Sequence, residues 1–124
     1  MNKTLSILVL TLLITLPLAA HDFAVENEDG KTIYYVNVSA GNKNRVEVSY
    51  QGSWYGAEKD SYTDTIVIPT SIQVDGKKYA VVGIGEQAFS KSFNLKSITI
   101  PESIEYIRDK AFENLPLPDF YYPH

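Results

Sequence analysis

The hydrophobic positions of this chain repeat at an interval of 23 residues near its C-terminal end. Val81, Ile84, Ala88 and Phe89 map onto Ile104, Ile107, Ala111 and Phe112, each 23 positions further on. An interval of that length, filled by short apolar motifs, predicts a solenoid: each repeat buries its apolar side against its neighbour. Within a repeat, Leu95, Ile98 and Ile100 mark a strand stopped by Pro101. The segments 86–91 and 109–114 are expected as single helical turns, with Phe89 and Phe112 stacked in the core. The second repeat is one residue short. Leu117, Phe120 and Tyr122 then take the places of Leu95, Ile98 and Ile100. Upstream, Ile66 and Ile68 before Pro69 fit the same template. Three parallel strands are therefore expected, over 63–68, 95–100 and 117–122.

Before the repeats the period changes to two. Arg45–Tyr50 places Val46, Val48 and Tyr50 on one side and Arg45, Glu47 and Ser49 on the other. Thr32–Val38 sets Tyr34, Val36 and Val38 on one face. Such alternation of β-branched and aromatic residues predicts half-buried strands. Residues 27–30 and 41–44 read as the turns between them, and 51–61 as a loop with Gly52 and Gly56 around Trp54 and Tyr55. Ile72–Val74 and Lys78–Val82 flank Asp75-Gly76, a two-residue hairpin signal, because such turns need positive φ. The architecture expected is mainly β with short helical turns. Its division is a β cap over 21–62 and repeats over 63–124, with a hairpin insert in the first interval.

Residues 1–20 read as an export leader. Lys3 supplies the positive start, Leu5–Leu16 the apolar run, and Pro17-Leu18-Ala19-Ala20 a small-residue exit, with cleavage expected before His21. The run is too short to span hydrocarbon, which needs about 20 apolar residues. No later run is apolar enough to span, so no transmembrane segment is expected in the mature chain. The protein carries 11 basic and 15 acidic residues, a net charge of −4. That balance argues against nucleic acid and anionic membrane as partners. Cysteine is absent, so neither a disulfide nor a lipid-modified cysteine is expected, and stability must come from packing and strand pairing.

The same inventory bears on chemistry. The two histidines are His21 and His124. Without cysteine or an internal histidine, a Cys–His pair, a zinc site or an internal histidine triad is not expected, nor any cofactor. Glu102 and Glu105 could be paired as acid and base, but charged residues at turns are normally solvated. Gly83-Ile84-Gly85 lacks the third glycine and the βαβ setting of a phosphate loop, and the tight turn of the repeat accounts for it.

Two surfaces are candidates for binding. Outward positions of the three parallel strands, Thr65, Val67, Ser97, Thr99, Asp119 and Tyr121, should form two ladders on one open face, since neighbouring strands lie about 4.8 Å apart. The alternative is a plain solvated sheet. Trp54 and Tyr55, between glycines, could stack on a glycan or anchor a protein. The alternative there is an apolar plug at the end of the cap.

The motifs resemble the BspA-type leucine-rich repeats of bacterial surface proteins. They are Ile84-Gly85-Glu86-Gln87-Ala88-Phe89, Leu95-Lys96-Ser97-Ile98-Thr99-Ile100-Pro101, and a first repeat in which Ile68-Pro69 precedes Asp75-Gly76-Lys77-Lys78-Tyr79-Ala80-Val81. Asp22-Phe23 and Tyr34-Tyr35 fit the family's entry segment. The resemblance implies a β-strand cap followed by a short leucine-rich-repeat solenoid. It also implies a non-enzymatic protein, secreted or at the cell surface, that acts in adhesion or host-protein binding. A second reading is a structural cap fragment that self-associates through its last strand. A third is a periplasmic glycan-binding module using Trp54 and Tyr55. The chain departs from the pattern at Arg108, where glycine is usual, and in the short proline-rich link 113–118. Asn37-Val38-Ser39 has the form of a glycosylation triplet, for which a bacterial surface protein gives no expected use.

Overall fold

The computed structural model describes residues 21–53, 56–57, 60–115 and 119–121. Eleven strands are described: β1 (Phe23–Glu26), β2 (Thr32–Asn37), β3 (Arg45–Val48), β4 (Gly52–Ser53), β5 (Gly56–Ala57), β6 (Asp64–Val67), β7 (Ser71–Val74), β8 (Lys77–Ile84), β9 (Leu95–Thr99), β10 (Tyr106–Ile107) and β11 (Asp119–Tyr121). There is no helix among the described residues. The protein is mainly β.

Two sheets enclose one core. A three-stranded sheet runs β11-β9-β6, with both pairings parallel. A six-stranded sheet runs β1-β2-β3-β8-β10, and β7 also pairs with β8. In the larger sheet β1, β2 and β3 are antiparallel neighbours, while β3 and β10 both lie parallel to β8. Strand β8 is long because it does two jobs. Its first half closes the Asp75-Gly76 hairpin with β7, and its second half lies between β3 and β10. Asp75 (φ 51°) and Gly76 (φ 79°) have the two positive φ values that a two-residue hairpin requires.

The register reproduces the spacing read from the sequence. Tyr106 and Ile107 face Gly83 and Ile84, an offset of 23. Phe120 faces Ile98, an offset of 22. The one-residue difference thus falls between Ile107 and Asp119, and the β8–β10 and β9–β11 pairs each keep a constant offset. Strand β3 is stacked on β8 in the way β8 is stacked on β10, so β3 is laid down like the strand of a preceding coil.

Burial follows from that stacking. Ile33, Tyr35, Val46, Val48, Val81 and Ile84 from the larger sheet join Ile66 and Ile98 from the smaller one, and Ile100 just after β9, in a single cluster. Full burial of each such side chain contributes about 1.5–3 kcal/mol. An aromatic spine runs through the middle. The rings of Phe89 and Phe112 stack at 5.4 Å and 7°, as expected, and Tyr62 extends the row, tilted by 44° at 4.8 Å from Phe89. Tyr62 is 2% exposed. Its hydroxyl donates to the Ser49 carbonyl at 2.6 Å and accepts from the Tyr34 N–H at 3.1 Å, so the phenol is buried with its polar end satisfied.

Three local expectations change. Segments 86–91 and 109–114 are successions of i→i+3 turns, such as Ser90 N–H to the Gln87 carbonyl at 3.0 Å. A helix is prevented because Gln87, Lys91, Lys110 and Asn114 all take positive φ, at positions matched 23 residues apart. The buried face of β2 is Ile33 and Tyr35; Tyr34 and Val36 lie on its other, half-buried face. The segment 51–61 holds a short hairpin, β4 against β5, whose connecting residues 54 and 55 lie outside the described residues.

Candidate functional site

The parallel pairing of β6, β9 and β11 lines up the positions read as outward. Thr65 faces Ser97, which faces Asp119; Val67 faces Thr99, which faces Tyr121. Two ladders therefore cross the sheet at the level of the backbone. Thr65 and Ser97 join their hydroxyls at 3.1 Å. Val67 is 39% exposed, unusual for a β-branched residue in a sheet, while Ile66 and Ile98 between the ladders are buried. Strand β9 sits between the other two, so Ser97 and Thr99 are the centre of this face. The edge formed by β6 is tied to the cap, because the Asn27 side-chain amide donates to the Val67 carbonyl at 3.0 Å. Lys31 and Lys96 approach the Asp64 carboxylate at 3.8 Å each; all three are exposed, and such pairs contribute little. Trp54 and Tyr55, the second candidate surface, lie outside the described residues.

The outward face of the other sheet carries a cluster that the sequence reading missed. Glu47, Gly83 and Tyr106 form one lateral row across β3, β8 and β10. Glu47 is only 8% exposed. The Tyr106 hydroxyl donates to Glu47 Oε1 at 2.7 Å, and Arg108 Nε donates to the same oxygen at 3.0 Å. The guanidinium also lies 4.9 Å from the Tyr106 ring centroid. A buried carboxylate is costly unless it is paired and hydrogen-bonded, and here both conditions hold.

This row explains the two glycines. A Cβ on Gly83 would sit 2.2 Å from the Tyr106 ring. With no side chain at Gly83, the ring of Tyr106 passes over β8 and reaches Glu47 on the strand beyond. A Cβ on Gly85 would meet Glu47 Oε2 at 2.6 Å and the Val48 carbonyl at 2.8 Å. Neither glycine has positive φ. They are present for close approach, which corrects the turn explanation. One coil further on, the neighbour in the place of Glu47 is Gly83, and the place of Gly85 is taken by Arg108.

Electrostatics agree with the geometry. Burial raises the Tyr106 phenol above the usual tyrosine range, and the hydrogen bond to Glu47 adds to the effect. The Glu47 hydrogen bond raises Arg108. Burial raises Tyr35, Tyr50 and Tyr62, the last strongly. Among the described residues no group of three His, Cys, Asp or Glu side chains could hold a metal ion, and no helix is long and apolar enough to cross a membrane.

Stacked coils, each contributing one strand to each of two sheets, with an aromatic spine between, define a leucine-rich-repeat solenoid. A family model described as the BspA type leucine rich repeat region (6 copies) matches residues 60–124, and the chain belongs to that family. A solved leucine-rich repeat protein from Bacteroides ovatus ATCC 8483 is 29% identical, with a TM-score of 0.63 over 83% of this chain and 24% of that one. The pneumococcal vaccine antigen PcpA is 23% identical, with a TM-score of 0.49 over 83% of this chain and 27% of that one. This chain therefore spans about a quarter of the length of either. No curated protein matches the sequence.

Proposed function

We propose that this chain is an exported, non-enzymatic bacterial repeat protein that binds a protein partner, such as a host matrix or surface protein, through the ladders of β6, β9 and β11. In this reading residues 1–20 are the export leader, 21–62 the cap and 63–124 the repeats. One observation carries the proposal. The register aligns Thr65, Ser97 and Asp119 in one row and Val67, Thr99 and Tyr121 in the next, so positions of hydroxyl, apolar, acidic and aromatic residue types are brought side by side across the three strands. A repeat array commonly binds through such an extended face. The test is saturable binding of the full chain to immobilised matrix protein. Altering Thr99, Asp119 and Tyr121 together should weaken binding at least about tenfold. No saturable binding, or binding unchanged in that variant, counts against the proposal.

A second reading is self-association through β11. It is favoured by the position of β11 at the end of its sheet among the described strands, since an edge strand's unpaired backbone groups can template another strand. Light scattering decides it: mass that rises with concentration supports pairing, and a constant monomer mass excludes it.

A further inference from the structure

A cleft opens where the turn between β1 and β2 meets the link between β6 and β7. It holds about 510 Å³, with Asn27, Glu28 and Asp29 on one wall and Val67, Pro69 and Thr70 on the other. The first wall is held by one side chain. The Asn27 carboxamide accepts from the N–H groups of Asp29 at 3.0 Å and Lys31 at 2.9 Å, and donates to the Val67 carbonyl at 3.0 Å. Asn27 therefore shapes the turn and pins it to the second wall. That wall is held by β9, through the parallel pairing of β6 and the Ile68 N–H on the Thr99 carbonyl at 3.1 Å. The lining carries charge of one sign. Glu28 and Asp29 are exposed, and their carboxylates enter no hydrogen bond or ion pair among the described residues. Lys31, in the same turn, is drawn away to Asp64 at 3.8 Å. The opposite wall is apolar at Val67 and Pro69, and Val67 is among the few large apolar residues left exposed.

An apolar wall facing an acidic one selects a ligand with both characters. A lysine or arginine side chain lays its aliphatic stem on apolar surface and carries its cationic head beyond it. A bare metal ion gains nothing from Val67 and Pro69, and no group of three metal-ligating side chains occurs among the described residues. A sugar finds no aromatic ring in the lining to stack on. An acidic segment is repelled by both carboxylates. We propose that this cleft takes a lysine or arginine side chain from an extended basic segment of a protein partner. Glu28 and Asp29 are the charge contacts, and Val67 and Pro69 are the apolar bed. Val67 also stands in register with Thr99, so the cleft lies at the end of the second ladder. The inference rests on the reading of this face as a protein-binding one, and it adds the charge of the segment that docks.

An NMR titration of the isotope-labelled full chain tests it. The probe is an end-blocked pentapeptide with lysine at its centre and valine and threonine on either side. The controls carry glutamine or glutamate at the centre. The expected result is a saturable shift of the Asp29, Val67 and Thr70 amides with the lysine peptide, weakened by salt and absent with the glutamate peptide. Glu28→Gln and Asp29→Asn together should weaken binding by about tenfold. Glu86→Gln, the same loss of charge beside the other sheet, should leave it unchanged. Both cleft residues are exposed, and the Asp29 N–H keeps its bond to Asn27 in the variant, so amide dispersion should be retained. Equal shifts with the glutamine peptide, shifts undiminished in the double variant, or no saturable shift overturns the inference. Matrix-protein binding that is lost in the ladder variant, with no response to the lysine peptide, ends this inference and leaves the ladder reading intact. A peptide response without matrix-protein binding keeps the cleft and rejects matrix protein as the partner.

Discussion

The two sheets of the solenoid are built from the same repeat, yet their outward rows differ. In the three-stranded sheet Thr65 bonds Ser97, its neighbour on the adjacent strand. In the six-stranded sheet the row is a buried carboxylate, a glycine and a tyrosine, and Tyr106 passes over one strand to bond the next but one. In the second sheet the row ties β10 to β3 across β8, and Arg108 beside it stays exposed. One repeat sequence can therefore make contacts between adjacent strands on one sheet and a brace across three strands on the other. The choice depends on whether a glycine admits a long side chain from the following coil.

Alkaline pH should break this arrangement most completely, and on the larger sheet's side. Tyr35 and Tyr62 are buried neutral, with their folded values raised by burial. Their stabilisation is fully present below the ordinary tyrosine value of about 10 and is lost as pH rises towards the folded values. Absorbance titration of phenolate should show these two groups ionising only together with unfolding. Ionisation before loss of circular dichroism would contradict their burial.

The shared core comes next. Phe89→Ala removes the centre of the aromatic spine and should cost about 3–5 kcal/mol, measured by denaturant unfolding. The exposed Phe93, only four residues on and 54% accessible, should cost no more than about 0.5 kcal/mol when changed to alanine. Equal losses would mean that the spine is not the core.

The brace is a smaller effect. Glu47→Ala should cost about 1–3 kcal/mol, because it leaves the half-buried Tyr106 hydroxyl without its acceptor. Gly83→Ala should displace the Tyr106 ring and cost about as much as losing that hydrogen bond, about 1–2 kcal/mol. The penalty should shrink when Tyr106 is already alanine, a coupling that a double-mutant cycle measures. Additive losses would separate Gly83 from Tyr106. On the other sheet, Thr65→Val should change stability by no more than about 0.5 kcal/mol.

Much of the smaller sheet was legible in the sequence because a period of two and a fixed stop at proline specify it. Ile66 and Ile98 are buried where the pattern puts them, the three strands pair in parallel, and the one-residue slip appears as the change of offset from 23 to 22. The Asp75-Gly76 hairpin and the Phe89–Phe112 stack were legible for the same reason: each is a local signal or an exact repeat. The brace was not. Glu47 and Tyr106 are 59 residues apart and meet only once β3 is stacked parallel on β8. An alternating strand predicts a solvated Glu47, and nothing local announces the ring that covers it. The available hint was the pair Gly83 and Gly85 in a strand otherwise rich in valine and isoleucine, since glycine inside a strand marks close approach. The turns misread as helical failed for another reason. Their residues, Gln87 and Lys91 among them, are ordinary helix formers, and the positive φ is imposed by the coil's closure rather than by side-chain type.

Binding of immobilised matrix protein, compared between the full chain, a ladder variant and a brace-side variant, tests the central claim most directly. The ladder variant alters Thr99, Asp119 and Tyr121; the brace-side variant is Glu86→Gln. The account predicts saturable binding that falls at least about tenfold in the ladder variant and is unchanged in Glu86→Gln. Binding retained in the ladder variant and lost in Glu86→Gln would place protein recognition on the opposite sheet and contradict it.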